Sequence, residues 1–190
     1  MISIQQVSDK KQLKEFVTFP FELYKNHPFW VPPLISDEME NFDASKNPAF
    51  ESAEAHLFLA YKNNKIVGRI AAIINWNEVK NQHKKKMRFG WWDVIDDIEV
   101  TKALLEKVHE IGQKNHLEHM EGPMGFSNLD KVGVLTDGFD YIGSMITWYN
   151  FPYYAQHLEQ LGFVKEKEYH ESSFLMSQVD PSSFLRAQEF

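Results

Sequence analysis

The 190-residue sequence contains no cysteine. Disulfides, thiolate nucleophiles and cysteine-based zinc sites are therefore excluded. The sequence also lacks an apolar run as long as the roughly 20 residues that a membrane-spanning helix needs. Its first residues do not form the apolar stretch of a signal peptide. We expect a cytoplasmic protein that does not have a membrane as its partner.

The sequence contains fewer basic than acidic residues. Lys and Arg total 20 against 27 Asp and Glu, which gives a net charge of -7. A protein that neutralises nucleic-acid phosphates needs the opposite balance, so no nucleic-acid partner is expected. The one basic run, 84–88, is interpreted as the solvated edge of a hairpin. No P-loop or His-Glu-x-x-His motif is present. His116 and His119 should diverge across a helix-to-strand change, so no metal site is predicted.

Apolar patterns predict the elements of the first half of the chain. Residues 2–7 alternate as a short strand. A helix begins near Asp9, and Pro20 should bend or end it. A short helix follows over 34–42. A hairpin covers 56–75, and the nearly continuous apolar run of its second strand indicates burial on both faces.

The stretch from 88 to 116 combines the strongest strand and helix signals of the sequence. Residues 88–95 predict a strand, and 98–115 carry apolar residues at the three-and-four spacing of one buried helical face. Asp97 is the predicted N-cap of this helix. A strand that leads into a helix N-terminus is a common phosphate site, so this junction is the first functional candidate.

The rest of the chain predicts a second strand and helix separated by a long loop. A strand over 117–122 should run parallel to the strand before it. Loop 125–147 follows, and loops of this length inside a compact domain are often functional. A helix over 153–161 ends at a glycine, and one or two strands lie in 163–176.

The predicted elements form one domain over residues 1–178. Residues 179–190 have the pattern of another helix start without a cap, which predicts the beginning of a further segment. We expect a contact between this domain and a C-terminal region that the sequence does not contain. An exposed apolar patch should mark that contact.

Three parts of the sequence carry a resemblance to a known superfamily. They read Phe29-Trp30-Val31-Pro32-Pro33-Leu34, Arg88-Phe89-Gly90-Trp91-Trp92-Asp93 with Asp96-Asp97, and Gly122-Pro123-Met124-Gly125-Phe126 followed by Tyr149-Asn150-Phe151-Pro152-Tyr153-Tyr154 and Leu161-Gly162-Phe163. With the order of elements, they resemble the GNAT (acyl-CoA N-acyltransferase) superfamily, in particular a group of bacterial GNAT-like proteins of unassigned substrate that are often longer. The resemblance implies an α/β fold with a mixed, mainly antiparallel sheet, a splayed central strand pair and helices on both faces.

The resemblance also implies transfer of an acyl group from acetyl-CoA or another acyl-CoA to a small-molecule amine. A base would deprotonate the amine and a tyrosine would protonate the leaving thiolate. The implied catalytic residues are Asp93, Tyr153 and Tyr154. The implied cofactor-binding residues are Trp92, Val94, Asp96, Asp97 and Asn150. Because aromatic rings with nearby amides line small-molecule sites, the candidate substrate-binding residues are Trp30, Trp91, Phe126, Asn128, Trp148 and Tyr149.

The sequence departs from the superfamily pattern at two places. Active members have a glycine-rich turn that holds the CoA pyrophosphate, where this chain has Asp96, Asp97 and Glu99. Two like unit charges about 4 Å apart repel by roughly 4 kcal/mol at an effective dielectric of 20. Leu158 stands where members carry the tyrosine. The alternative function is therefore a non-catalytic GNAT-like domain that binds a small ligand or a protein partner through the aromatic groove and loop 125–147.

Overall fold

The computed structural model describes residues 1–127, 129–144, 147–175 and residue 177. Within them, five strands form one sheet in the order β1-β2-β3-β4-β5. The strands are β1 (Ile2–Gln6), β2 (Ala53–Lys62), β3 (Lys65–Asn75), β4 (Lys86–Val94) and β5 (His119–Glu121). Strands β1 to β4 pair antiparallel and β5 pairs parallel to β4. The sheet is therefore mixed and mainly antiparallel, as predicted. Segment 179–190 lies outside the described residues.

Helices cover both faces of this sheet. The described α-helices are α1 (Lys10–Leu23), α2 (Ile35–Asn41), α3 (Ile98–Lys114) and α4 (Tyr153–Gln160). Phe16 and Val17 of α1 belong to one core cluster, called the α1 cluster below. Val100, Leu104 and Val108 of α3 belong to the other, the α3 cluster. None of the helices in the described ranges is long and apolar enough to cross a membrane.

The β2–β3 hairpin forms where the sequence predicts it. Its two-residue turn, Asn63-Asn64, has both residues at positive φ (52° and 60°), a conformation that asparagine tolerates and that suits the twist of a hairpin. Along β3, Ile70 and Ala72 pack in the α3 cluster and Ala71 packs in the α1 cluster. The continuous apolar run is therefore a strand buried on both faces.

Pro20 does not end α1, which was one of the two effects predicted for this proline. The helix continues to Leu23 with Pro20 buried inside it. A proline within a helix leaves the carbonyl four residues before it, here that of Phe16, without its backbone donor. Arg69 Nη1 donates to that carbonyl at 2.9 Å. A buried side chain thus supplies the donor that the proline lacks.

The strands predicted for 163–176 are not found in the described part of that segment. Residues 163–175 contain no strand, and Met176 lies outside the described residues. Most side chains of this segment are exposed, including Val164. The segment has no buried apolar face of the kind that holds a strand on a sheet.

The prediction of a parallel strand before the long loop is confirmed by β5.

Helix α3 begins at the aspartate that the sequence predicts. Asp97 Oδ1 accepts a hydrogen bond from Glu99 N at 3.1 Å, and Lys62 Nζ donates to Asp97 Oδ2 at 2.8 Å. The hydrogen bond from Lys62 lowers the pKa of the Asp97 carboxyl. A carboxyl pKa that is lower in the folded state contributes stability above the unfolded pKa, and this contribution is lost as the pH falls through the folded pKa.

We expect Asp97→Ala to lower the free energy of unfolding at pH 7 by about 1 kcal/mol, because α3 loses its N-terminal cap. The difference from the wild type should shrink as the pH falls below about 4, near the pKa of an unfolded aspartate. Urea denaturation followed by circular dichroism measures both effects. Asp140→Ala, at an exposed position, is the control. An equal loss in the two variants would contradict the cap.

Candidate functional site

Strands β4 and β5 diverge soon after they pair. On β4 the pairing covers only Lys86, Met87 and Arg88. Beyond it, Met124 N donates to Phe89 O at 2.7 Å. The loop after β5, rather than β5 itself, therefore lies against the second half of β4. This divergence corresponds to the splayed strand pair that the resemblance implies.

A β-bulge interrupts β4 at two adjacent tryptophans. The register of β4 on β3 shifts between Arg69 and Ala71, and Trp91 takes a φ of 42°. Positive φ is uncommon for a residue with a side chain. Trp91 packs in the α1 cluster and Trp92 in the α3 cluster. Phe89 and Trp92, three residues apart, both pack in the α3 cluster, so the bulge shifts the alternation of β4 and places Trp91 on the α1 side. Bulges that re-aim side chains in this way are over-represented next to active sites.

Asp93, the candidate base, lies in a buried polar network. Arg69 Nε donates to Asp93 Oδ2 at 2.7 Å, and the Tyr24 hydroxyl donates to Asp93 Oδ1 at 3.0 Å. Both charged side chains are buried. The guanidinium compensates the charge of the carboxylate, which is the condition for burying either one.

Two tyrosines of α4 bind the backbone at the end of β4. Val94 N donates to the Tyr154 hydroxyl at 3.0 Å, and the Tyr153 hydroxyl donates to Val94 O at 2.7 Å. The Tyr154 and Tyr24 hydroxyls share a further hydrogen bond at 3.0 Å. Burial raises the pKa of Tyr24, Tyr153 and Tyr154. These phenols therefore stay protonated near neutral pH and hold α1, β4 and α4 together.

The space between the second half of β4 and the loop after β5 is almost filled. The cavity there measures about 10 Å³, and Trp92, Tyr154, Trp148 and Asn150 are among its lining residues. A cavity needs roughly 10–15 Å³ to hold one water molecule. Asn150 Oδ1 accepts from Leu135 N at 2.6 Å, and this hydrogen bond anchors the long loop.

Carboxylates occupy the junction between β4 and α3. Asp97 caps the helix, as described above. Asp96 is exposed, and its Oδ1 lies 3.3 Å from His157 Nε2. His157 is buried, and its Nδ1 lies within hydrogen-bond distance of Thr101 Oγ1, at 2.9 Å. The contacts join the start of α3 to α4 and leave negative charge where a phosphate would have to bind.

The residues implied for a CoA cofactor do not fit one in the described conformation. The Asp97 carboxylate accepts from the helix N-terminus that the pyrophosphate would use, and Asp96 adds a second negative charge. The polar backbone groups of Val94 are bound by the two tyrosines. A CoA bound in the expected manner would require these groups to separate.

A second, larger space lies beside the α1 cluster. This groove measures about 410 Å³, within the usual range of small-molecule sites, and Trp91, Phe126 and Trp148 are among its lining residues. The ring centroid of Trp91 lies 5.9 Å from that of Trp148 and 5.8 Å from that of Phe126. We call this space the aromatic groove. It brings together three of the six candidate substrate-binding residues.

The other three candidates do not line this groove. Trp30 stacks on Tyr24 with ring centroids 5.3 Å apart. The Tyr149 hydroxyl donates to Phe139 O at 3.1 Å, and Tyr149 lines the 10 Å³ cavity. Asn128 lies outside the described residues. The predicted aromatic set is thus divided between the groove, the closed cavity and the packing around α1.

Glu38 is a groove residue that the sequence analysis missed. It is only 9% exposed, and its Oε2 accepts from Trp91 Nε1 at 2.7 Å. In the sequence it is one of several acids in a short helix. The available signal was its spacing, three residues after Ile35 and four before Phe42, which places it on an apolar helical face.

Arg88 positions one wall of the groove. Its Nη1 donates to Gly125 O at 3.1 Å and to Phe126 O at 2.9 Å, and its Nε donates to Glu78 Oε2 at 3.0 Å. The sequence analysis assigned this residue to a solvated basic edge, but it is buried. It holds the start of the long loop, with Phe126, against β4.

We expect Tyr154→Phe to lower the free energy of unfolding by about 1–3 kcal/mol, because it leaves the buried Val94 N–H without its acceptor. Urea denaturation measures the change. Tyr141→Phe is the matched control, since Tyr141 is 69% exposed and the same substitution there should change stability by less than about 0.5 kcal/mol. Equal values for the two variants would rule out a structural role for the Tyr154 hydroxyl.

The comparisons with known sequences give two curated relatives and no matching family model. The chain is 34% identical over 157 residues to Protein YghO of Escherichia coli K12, a match that covers 83% of this chain and 40% of the relative. It is 27% identical over 168 residues to the bacterial ceramide synthase of Caulobacter vibrioides, covering 88% of this chain and 44% of the relative. The chain therefore spans less than half the length of either relative.

Solved structures match over almost the whole chain. One is an aminoglycoside acetyltransferase, meta-AAC0020, from an uncultured soil metagenomic sample, in complex with sisomicin (TM-score 0.54, 13% identity, 92% of this chain and 96% of that one). Another is a predicted acetyltransferase from Clostridium acetobutylicum with acetyl-CoA (TM-score 0.54, 11% identity, 91% and 96%). A third is AAC(6')-Iy in complex with a CoA bisubstrate analogue (TM-score 0.53, 14% identity, 92% and 99%). At these identities the likeness concerns the fold, and the chain has the fold of the GNAT acetyltransferases.

Proposed function

We propose that this protein takes part in the transfer of an acyl group from a thioester to an amine, and that the aromatic groove binds the amine. The observation that carries the proposal is the position of the groove, which opens against the β4 bulge at Trp91 in a GNAT fold. The strands beside it diverge where the superfamily has its reaction centre. Fold alone does not establish an activity, so the proposal rests on the groove as well.

The chemistry of the reaction sets requirements that the groove can be compared with. An amine is protonated near neutral pH and must lose a proton before its nitrogen forms an amide bond. An acceptor site therefore has to attract a cation and must place a proton acceptor beside it. Glu38 is a carboxylate in the groove wall. Asp93 meets this requirement less well, because Arg69 and Tyr24 already bind it.

The named relatives support an amine as the acceptor and narrow its type. One of the similar structures is an aminoglycoside acetyltransferase in complex with sisomicin, and another, AAC(6')-Iy, is in complex with the bisubstrate analogue CoA-S-monomethyl-acetylneamine. The relative called bacterial ceramide synthase is named for a product that is an amide of a long-chain amino alcohol. The walls of the aromatic groove include Trp91, Phe126 and Trp148, which suits an amine that carries an apolar chain better than a polar aminosugar.

We propose acyl-CoA as the donor class, bound weakly because the junction repels its phosphates. In this proposal Asp93, Tyr153 and Tyr154 join α1, β4 and α4 and do not exchange protons with the substrates. Support comes from their saturated hydrogen bonding and from the raised pKa of the tyrosines.

We expect the chain to form N-octylacetamide from 1-octylamine at millimolar acetyl-CoA, detected by mass spectrometry. The double variant Asp96→Gly/Asp97→Gly should lower the KM for acetyl-CoA about tenfold or more, because relief of even ~1.4 kcal/mol of charge repulsion corresponds to that factor. Glycine is an acceptable N-cap, so α3 should persist. Asp137→Gly/Asp140→Gly removes the same charge from exposed loop positions and should leave the KM unchanged.

Two different results would contradict two different parts of this proposal. If neither the wild type nor the junction variant formed the amide at millimolar acetyl-CoA, the acyl-transfer proposal would fail. If the amide formed but the KM for acetyl-CoA did not respond to the junction charges, acyl transfer would stand and the electrostatic explanation of weak donor binding would be wrong.

A further inference from the structure

Glu38 is a buried carboxylate whose charge is not compensated. Its Oε2 accepts from the neutral Trp91 Nε1 at 2.7 Å. None of the ion pairs formed within residues 1–127, 129–144 and 147–175 involves Glu38. Burying an ionised carboxylate without a cation is unfavourable, so this position favours a positively charged ligand.

Other buried acids of the chain are paired with arginine. Asp93 lies 2.7 Å from Arg69, and Glu78 lies 2.9 Å from Arg88. The protein therefore compensates buried negative charge where the carboxylate supports the fold. Glu38 differs in that its carboxylate lines an open groove, where a ligand can provide the compensation.

The aromatic walls add a second feature that suits a cationic ligand. Indole faces attract ammonium groups within about 6 Å of the ring centroid. Lys131 Nζ already lies 5.0 Å from the Trp148 ring centroid at the rim of the groove. The groove thus offers an indole face that already accommodates one ammonium group.

The other charged side chains that line the aromatic groove do not compensate the Glu38 carboxylate. Asp130 Oδ2 accepts from Ser127 N at 2.8 Å and belongs to the turn of the long loop. Lys131 contacts Trp148 rather than Glu38. A metal ion is a poor occupant, because the described residues include no cluster of three or more His, Asp or Glu side chains that could hold one.

We infer that the aromatic groove binds an amphiphilic primary amine, with its ammonium group on the Glu38 carboxylate and its apolar chain against Trp91, Phe126 and Trp148. The ammonium donates to Glu38 while Trp91 Nε1 keeps its bond to Oε2. The assignment of this amine as the acyl acceptor rests on the proposed function, whereas the ammonium site itself depends only on the groove.

Calorimetric titration of the whole chain with n-octylammonium chloride at pH 7, below its micelle concentration, tests this site. We expect saturable binding, and binding of 1-octanol at least tenfold weaker, because the alcohol cannot compensate the carboxylate. Raising the salt concentration should weaken binding of octylammonium but not of octanol.

Glu38→Gln is the decisive variant. Its amide oxygen can still accept from Trp91 Nε1, so the walls keep their positions, but the charge is gone. We expect the affinity for octylammonium to fall at least tenfold and that for octanol to stay unchanged. Glu40→Gln makes the same change on the same helix at a residue that pairs with Lys46, and should have no effect on either ligand.

The results of these experiments test the ammonium site and the proposed acyl transfer independently. Equal affinities for amine and alcohol, or undiminished amine binding by a folded Glu38→Gln variant, would overturn the inference. If that variant does not fold, the salt dependence in the wild type decides, and its absence would also overturn the inference. Amine binding through Glu38 without amide formation would count against acyl transfer only, whereas amide formation with no dependence on Glu38 would count against the site only.

Discussion

A buried ion pair between Arg69 and Asp93 fixes the elements around the candidate site. The guanidinium also donates to the carbonyl of Phe16, which Pro20 leaves free inside α1. The carboxylate accepts from Tyr24 at the end of the same helix. One pair thus ties α1 to β3 and β4 in the core. Removing one partner of such a pair leaves an uncompensated buried charge, at a cost of about 3–5 kcal/mol.

At the bulge, strand β4 separates two spaces, a small closed cavity and a larger open groove. On the side of Trp92, tyrosines of α4 bind the end of β4 and leave a cavity of about 10 Å³. On the side of Trp91, the groove of about 410 Å³ remains accessible. The same strand therefore supports a closed network of hydrogen bonds on one face and, on the other, a carboxylate without an ion-pair partner among the described residues. Natural proteins tolerate incomplete satisfaction mainly where a ligand or a reaction uses it.

Local signals were sufficient for most of the fold. The Asn63-Asn64 turn, the buried run of β3 and the Asp97 cap each depend on neighbouring residues in sequence, and each was predicted correctly. The GNAT architecture came from the resemblance to the superfamily, which three sequence segments carry together with the order of the elements. The continuation of α1 through Pro20 was not predictable in this way, because the compensating donor, Arg69, lies 53 residues from Phe16 in the sequence.

The candidate site was less predictable than the fold for the same reason. The aromatic residues of the groove could be identified as a set, but their division between groove, cavity and core depends on the bulge and on contacts across the sheet. Glu38 becomes distinctive only when Trp91 is seen to donate to it from 53 positions away. Residues 163–175 form no strand, because apolar residues such as Phe174 and Leu175, both exposed, do not by themselves provide a surface for a strand to pack on.

Trp148 lines both the aromatic groove and the small cavity beside β4. One indole is therefore a shared wall, and a ligand that shifts it from one side alters the packing on the other. A substitution at Trp148 would therefore change the packing of the groove and of the cavity together.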